Sequence, residues 1–278
     1  MKISAFPKCY LGSIPQTMSV FDWIQEAKQL PAEGLEMYEG FFPSFENNEV
    51  DRVADAIRQA GFEMPMFCCS PDFTQPAADA RAKEVEREAS MIAVTRRLGG
   101  QGTVCRILTG QRRANVADEQ AFEWIFDAFH QLLPVALEHG VKLGLENHFK
   151  DGKWQAPEFA QKAPLFLRVV NEFRGHPAFG VQYDPSNAVV AGDDPIELLK
   201  AIAADVCSMH ASDRWLATDG TLQHGVTGKG LNDYNAIFSI LAAHNYRGWV
   251  SIEDGMNGME EMRESLEFLG RMKRNYFA

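Results

Sequence analysis

Four short stretches end an apolar run on a group able to bind a cation. They are Glu146 in GLEN (144–147), Asp184 in VQYDPS (181–186), His210 in SMHASD (208–213) and Glu253 in SIED (251–254). Three carboxylates brought together without compensation repel one another, and at least one must take up a proton. A divalent cation removes that conflict. Three oxygen ligands and one imidazole suit Mn²⁺ best, and also Mg²⁺, Co²⁺ or Zn²⁺, with positions left for substrate or water. Such a cation polarises a carbonyl and its neighbouring hydroxyl, so that a base nearby can remove the α proton to give an enediolate. Return of the proton to the other face is epimerisation, and return to the adjacent carbon is aldose–ketose isomerisation. Loss of a β-oxygen is dehydration or glycoside cleavage by elimination. His148, two residues beyond Glu146 in LGLENH (143–148), offers an imidazole that titrates near neutrality and stands outside the ligand set.

Taken singly, each residue has a plainer reading. Asp184, directly before Pro185, suits the start of a turn, and a lone histidine is commonly a satisfied core residue. The joint pattern depends on where the elements place these groups. Short apolar or β-branched runs alternate with longer segments of helical period. The runs are KISAF (2–6), GLEMY (34–38), MPMFCCS (64–70), TVCRIL (103–108), VKLGLEN (141–147), FGVQYD (179–184), VCSMHA (206–211) and WVSIED (249–254). The helical segments cover 20–30, 50–61, 79–100, 119–140, 157–173, 195–204, 233–245 and 259–275. Pro134 should kink the fourth, and Gly61, Gly99, Gly140 and Gly175 stand where helices end.

Eight strand–helix units in 278 residues predict one domain, 1–278, folded as a single (β/α)8 TIM barrel. An open doubly wound sheet would call for a glycine-rich phosphate loop after the first strand, and PKCYLGSIP is not one. In a barrel the carboxyl ends of the strands carry the active site. The four candidates then fall on strands five to eight, neighbours around the ring. Side chains alternate with period two, so Glu146 facing inward puts Gly144 beneath it and His148 above. By the same parity Gln182, Ser208 and Ser251 lie beneath Asp184, His210 and Glu253.

The chain carries a formal charge of −11 and no basic stripe, which argues against nucleic acid. No apolar run is long enough for a membrane span or a signal peptide, so a cytoplasmic protein is expected. Five cysteines, none with CxxC spacing, read as reduced core thiols and not as a zinc site. The expected partner is a small-molecule sugar or sugar derivative, and a homo-oligomer is compatible with the composition. The nineteen residues 215–233 exceed a usual strand–helix loop and suit a lid or substrate contact, with His224 and Lys229 as its polar groups. Asp233 suits a helix cap, Trp154 a ring for sugar stacking, and Glu36 and Arg106 positions able to reach the mouth. Beyond Arg214 and Lys229 no paired basic residues are evident, so phosphate is not expected as a required substrate feature.

LGLENH, YDPSNAVVAGDDP, MHASDR, GKGLNDY and GWVSIEDG together resemble the sugar-phosphate isomerase/epimerase superfamily with its xylose-isomerase-like barrel, across essentially the whole chain. Ketose 3-epimerases, hydroxypyruvate isomerases and inosose dehydratases are its members. The resemblance implies one divalent metal on Glu146, Asp184, His210 and Glu253, with Glu146 and Glu253 as the acid/base pair and Arg214 on substrate oxygens. It implies a metal-dependent isomerase or epimerase. A lyase or dehydratase acting on a keto sugar, inosose or 3-keto-glycoside is the alternative, and a non-catalytic metal-binding barrel a further one. Two positions depart from the epimerases: Asn187 stands where they carry a histidine, and His148 is a residue they lack. Endonuclease-IV-like relatives need a histidine-rich multi-zinc site and a basic face, which seven histidines and the acidic charge do not supply.

Overall fold

The computed structural model describes residues 1–253 and 257–277. In chain order the elements are β1 (Lys2–Ala5), α1 (Val20–Ala27), β2 (Gly34–Leu35), β3 (Met37–Tyr38), α2 (Asn47–Gln59), β4 (Met66–Cys68) and α3 (Ala78–Gly99). There follow β5 (Val104–Ile107), α4 (Asp118–His139), β6 (Lys142–Glu146), α5 (Ala163–Phe173), β7 (Phe179–Tyr183), α6 (Pro185–Ala191) and α7 (Pro195–Ile202). The last are β8 (Val206–Ala211), β9 (Arg214–Leu216), β10 (Leu222–His224), α8 (Tyr234–Ala243), β11 (Trp249–Ile252) and α9 (Met259–Tyr276).

Nine of these strands form one sheet in the order β2-β1-β11-β8-β7-β6-β5-β4-β3, every neighbour parallel. The two ends of that order, β2 and β3, are halves of the single segment 34–38, interrupted at Glu36. The ring therefore closes through Glu36, and the expected (β/α)8 TIM barrel is what forms. The outer faces of these strands are apolar, while the inner face carries small and polar residues together. In register, Arg106 lies beside Gly144, Glu146 beside Gln182, Gln182 beside Ser208, and His210 beside Ser251. These residues share the inner face. Gly144 is required there, because a Cβ would stand 2.7 Å from Val104 Cγ1.

The helices follow their sequence signals. Ser19 and Asp22 close a capping box on α1, whose Val20, Trp23, Ile24 and Ala27 make one buried stripe. Phe129 of α4 stacks on Phe173 of α5, their centroids 5.1 Å apart, and so ties the shell over strands β5 to β7. Some boundaries differ from expectation. The third helix ends on Gly100 at φ 84°, and Gly99 is its last helical residue. The segment 157–162 is loop, with Gln111 bridged to Glu158, and α5 starts at Ala163. Two elements were not foreseen, the short α6 and the antiparallel β9–β10 hairpin inside the long loop after β8. The expected end of the last strand at Asp254 lies outside the described residues. Among those described, no helix is long and apolar enough to cross a membrane.

Candidate metal centre and active-site cavity

Glu146 is the last residue of β6, Asp184 follows β7, His210 lies in β8, and Glu253 follows β11. The parallel ring brings their side chains to one end of the barrel. Ligand atoms of Glu146, Asp184 and His210 all lie within 4.8 Å of one another, and all three residues are buried. Nδ1 of His210 is 3.3 Å from Glu146 Oε1 and 3.8 Å from Glu253 Oε2, which draws the fourth residue to the group.

The other ring nitrogen fixes the tautomer. His210 Nε2 lies 2.8 Å from Glu36 Oε2, on the residue where the barrel closes. With Nε2–H donating to Glu36, the Nδ1 lone pair faces the carboxylate oxygens of Glu146 and Glu253. Nδ1 is buried and has no hydrogen-bond partner among the described residues. Two electron-rich groups face each other stably only across positive charge, either a proton or a cation. A carboxylate behind a ligating histidine is the usual way to hold its ring and raise its basicity. The donors therefore fit a divalent ion: hard oxygens, one oriented imidazole, and a carboxylate behind it.

Polar neighbours compensate the carboxylates individually. Arg106 Nη1 donates to Glu146 Oε2 at 2.9 Å, and Lys8 Nζ sits 3.1 Å from Glu253 Oε2. Asp184 Oδ1 accepts from the backbone of Ser186 and Asn187, capping α6, and from Ser212 Oγ at 2.7 Å. Its Oδ2 accepts from Asn187 Nδ2 at 3.0 Å, and the same amide lies 3.3 Å from Glu146 Oε1. The turn reading and the ligand reading of Asp184 are thus compatible, because different oxygens serve each. Burial alone would raise the pKa of Glu146, but the Arg106 charge and the two histidines hold it down to about 2. Burial is likewise outweighed at Glu253, which Lys8 and His210 keep below the usual carboxylate range. Asp184 is pushed up to about 6 by burial and by the charges of Glu253 and Glu146. At His210 burial is overcome by the nearby carboxylates, Glu36 foremost, which favour its charged form.

Above this group lies a cavity of about 680 Å³, within the range of small-molecule sites. Glu253, His148, Asn187, Arg214 and His224 line it. His148 Nδ1 lies 3.3 Å from Glu158 Oε2, and Glu158 Oε1 accepts from the backbone and hydroxyl of Thr109 at 2.8 and 2.9 Å. The imidazole is therefore aimed by a buried, anchored carboxylate. Burial works against its protonation, yet Glu146 and Glu158 together raise its pKa. Trp154 packs edge-on against His148 at 6.2 Å and is itself buried, so it braces that ring. Lys229 is exposed and ion-paired with Glu264 of α9; the structure does not bring it to the cavity wall. Asp233 caps α8.

Glu36 and Arg106, placed by the sequence within reach of the mouth, take up supporting roles there, and Glu158 is a residue the sequence did not reveal. Glu36 backs His210, Arg106 pairs with Glu146, and Glu158 backs His148. Lys8, Lys150, Asp151 and Lys153 also reach the cavity. Asp213, next to the ligand strand, accepts backbone N–H groups from Gly228, Gly230 and Asn232 and so folds the long loop after β8. The strand positions of Glu36 and Arg106 were the available signal; Lys8, in the turn after β1, gave none.

Comparison with known proteins agrees with this fold. A stretch of 150 residues is 24% identical to an inosose dehydratase of Clostridium botulinum (strain Alaska E43 / Type E3), covering 49% of this chain and 48% of that one. The chain thus spans about half the length of the curated relatives it matches. A D-tagatose 3-epimerase-like protein superposes with a TM-score of 0.80 at 15% identity, over 99% of this chain and 98% of the other. The IOLI protein, solved with a binding zinc atom, superposes at 0.77 and 16% identity with both chains fully covered. At such identities these structures share the fold. The family model described as xylose isomerase-like TIM barrel matches residues 24–272, and the chain belongs to that family.

Proposed function

We propose that the protein is a divalent-metal-dependent enzyme that abstracts the proton beside a carbonyl of a keto sugar or sugar derivative. The observation that carries this is the buried Glu146–Asp184–His210 group, with Glu253 beside it, at the foot of a cavity whose wall holds the His148–Glu158 pair. Glu146, Asp184, His210 and Glu253 would hold the ion, Mn²⁺ by preference or Zn²⁺ as the IOLI structure carries. When bound, it would act as a Lewis acid toward the substrate carbonyl.

The chain's own groups divide the remaining work. Glu146 and Glu253 are engaged by Arg106 and Lys8 and have little affinity for a proton, which makes them poor bases. His148 is the group with basicity to spare: Glu158 Oε2, 3.3 Å from its Nδ1, favours the protonated ring, and the imidazole would receive the α proton. Arg214 on the cavity wall would bind substrate oxygens, with Asn187 and His224 completing the contacts. One base on one side favours return of the proton to the adjacent carbon of the same face, which is isomerisation. Epimerisation needs a second group opposite.

Elimination is the second reading, and one observation favours it. It too needs only one base, and the curated relatives matched over half the chain are inosose dehydratases. The test is proton–deuterium exchange with a panel of keto sugars and keto-glycosides in D₂O. His148→Asn should keep the metal and lose exchange by about two to four orders of magnitude. Glu158→Gln should lower kcat with little change in KM. If exchange in His148→Asn stays near wild type, a glutamate is the base and the assignment fails.

A further inference from the structure

The charge of the cavity opposes that of the molecule. A chain of net charge −11 lines this one cavity with Lys8, Arg106, Lys150, Lys153 and Arg214, against Asp151 and Glu253. The carboxylates beneath the lining, Glu146 and Asp184 at the metal centre and Glu36 and Glu158 behind the two histidines, are held away from the cavity rim by their own partners. Arg106 and Lys8 are committed to Glu146 and Glu253. The surplus therefore rests at the rim.

The segment Lys150-Asp151-Gly152-Lys153 presents it. Asp151 turns inward: its Oδ2 accepts from Ser70 Oγ at 2.7 Å, and Ser70 Oγ accepts in turn from Arg106 Nη2 at 2.9 Å. Its Oδ1 accepts from the Lys153 backbone at 2.8 Å. The carboxylate is spent on anchoring the loop, and the lysines on either side stay exposed. Lys150 Nζ reaches only the Gln155 carbonyl at 3.3 Å, and Lys153 Nζ stands 5.6 Å from the Tyr38 ring centroid. Among the described residues neither has a carboxylate within 4.0 Å. Free surface lysines are ordinary on a mobile loop, but this loop is pinned at three places. Asp151 holds it to Ser70, Glu158 to Thr109, and Gln111 Oε1 to the Gln155 backbone at 2.8 Å. Across the cavity, the buried Nε of Arg214 has no hydrogen-bond partner among the described residues.

We propose that the substrate carries an anionic group, a carboxylate or a phosphate, seated against Lys150 and Lys153 at the rim of the cavity. The proposal deepens the keto-sugar reading above and rests on it, and it reverses the expectation from sequence that no basic pair beyond Arg214 and Lys229 is available for an anion. Charge-assisted hydrogen bonds to an ammonium pair would select the anion over its uncharged analogue, and the pinned loop would fix where the far end of the sugar lies. Uncharged sugars would bind in the same cavity without that anchor.

The test uses manganese-loaded protein titrated calorimetrically with D-fructose, D-fructuronate and D-fructose phosphorylated at its terminal hydroxyl. At least one anionic ketose should bind about tenfold more tightly than D-fructose or better. The stronger of the two tells carboxylate from phosphate. The Lys150→Gln/Lys153→Gln variant should lose that preference while keeping metal stoichiometry and D-fructose affinity. Equal or undetectable binding of all three ketoses overturns the proposal. So does a preference that survives in the variant, since the anion is then held elsewhere. Failure of the underlying reading shows separately, as absence of metal uptake or of α-proton exchange.

Discussion

Two clusters in this barrel bring three potential ligand atoms equally close, one with two carboxylates and an imidazole and the other with two thiols and a carboxylate, and their carboxylates are treated differently. At the mouth, Glu146, Asp184 and His210 converge within 4.8 Å; in the wall, Cys69, Glu88 and Cys105 do the same between β4, β5 and α3. All six residues are buried. The mouth carboxylates are answered by Arg106, Lys8, the Asn187 amide and the α6 N-terminus, and Glu146 is held down to about 2. In the wall, one guanidinium serves three carboxylates: Arg87 pairs closely with Glu39 and Glu84 and stands 3.7 Å from Glu88. Burial therefore dominates at Glu88 and drives its carboxyl pKa well above the usual range, and burial does the same to the Cys69 thiol. Spacing alone does not make a site. A cluster is competent to bind a cation at neutral pH when its neighbours hold it ionised and a cavity reaches it.

The largest expected effect separates the two clusters by metal. His210→Ala or Asp184→Ala should remove stoichiometric Mn²⁺, read by elemental analysis of the purified protein, with the far-ultraviolet circular dichroism unchanged. Cys69→Ala should leave the metal content at wild type. A full equivalent of Mn²⁺ in the His210→Ala/Asp184→Ala double variant would move the metal centre elsewhere, and the wall would be the next place to look.

A smaller effect probes how the mouth is held. Glu36 touches no proposed substrate and acts by fixing the His210 ring. Glu36→Gln keeps the shape but weakens the acceptor, and should cost about 10–100-fold in metal affinity. Glu36→Asp should recover part of that loss. Unchanged affinity in both would mean that Nε2 does not set the tautomer.

How far these clusters can be read from sequence differs for a physical reason. Strand alternation and period-two parity place Glu146, Asp184 and His210 together, because a closed parallel ring leaves few alternatives. The same parity sets Cys69 and Cys105 on the outer face, but nothing in the chain announces that Glu88 of α3 reaches between them. Contacts made by loops were the least legible. Glu158 meets His148 only because the loop doubles back after Trp154. Lys229 and Lys153 look alike as loop lysines beside a glycine, yet one pairs with Glu264 of α9 and the other faces the cavity. Asp184 was ambiguous between a cap and a ligand because both uses select the same residue at the same position.

The smallest effect tests the wall by its response to pH. Glu88 has its pKa raised in the fold by burial, so the native state holds a proton that the unfolded chain releases above about pH 4.5. Its stabilising contribution is complete below that pH and declines as pH rises toward the raised folded value. Gln at this position cannot lose a proton and keeps nearly the same volume beside the Cys105 thiol. The advantage of Glu88→Gln over wild type in urea denaturation should therefore grow between pH 5 and pH 8. The difference between the two proteins cancels the titration of the mouth, which both share. An advantage that stays flat or reverses over this range would mean that Arg87 keeps Glu88 ionised. The wall would then be compensated as the mouth is, and access to a cavity would be the whole of the distinction between them.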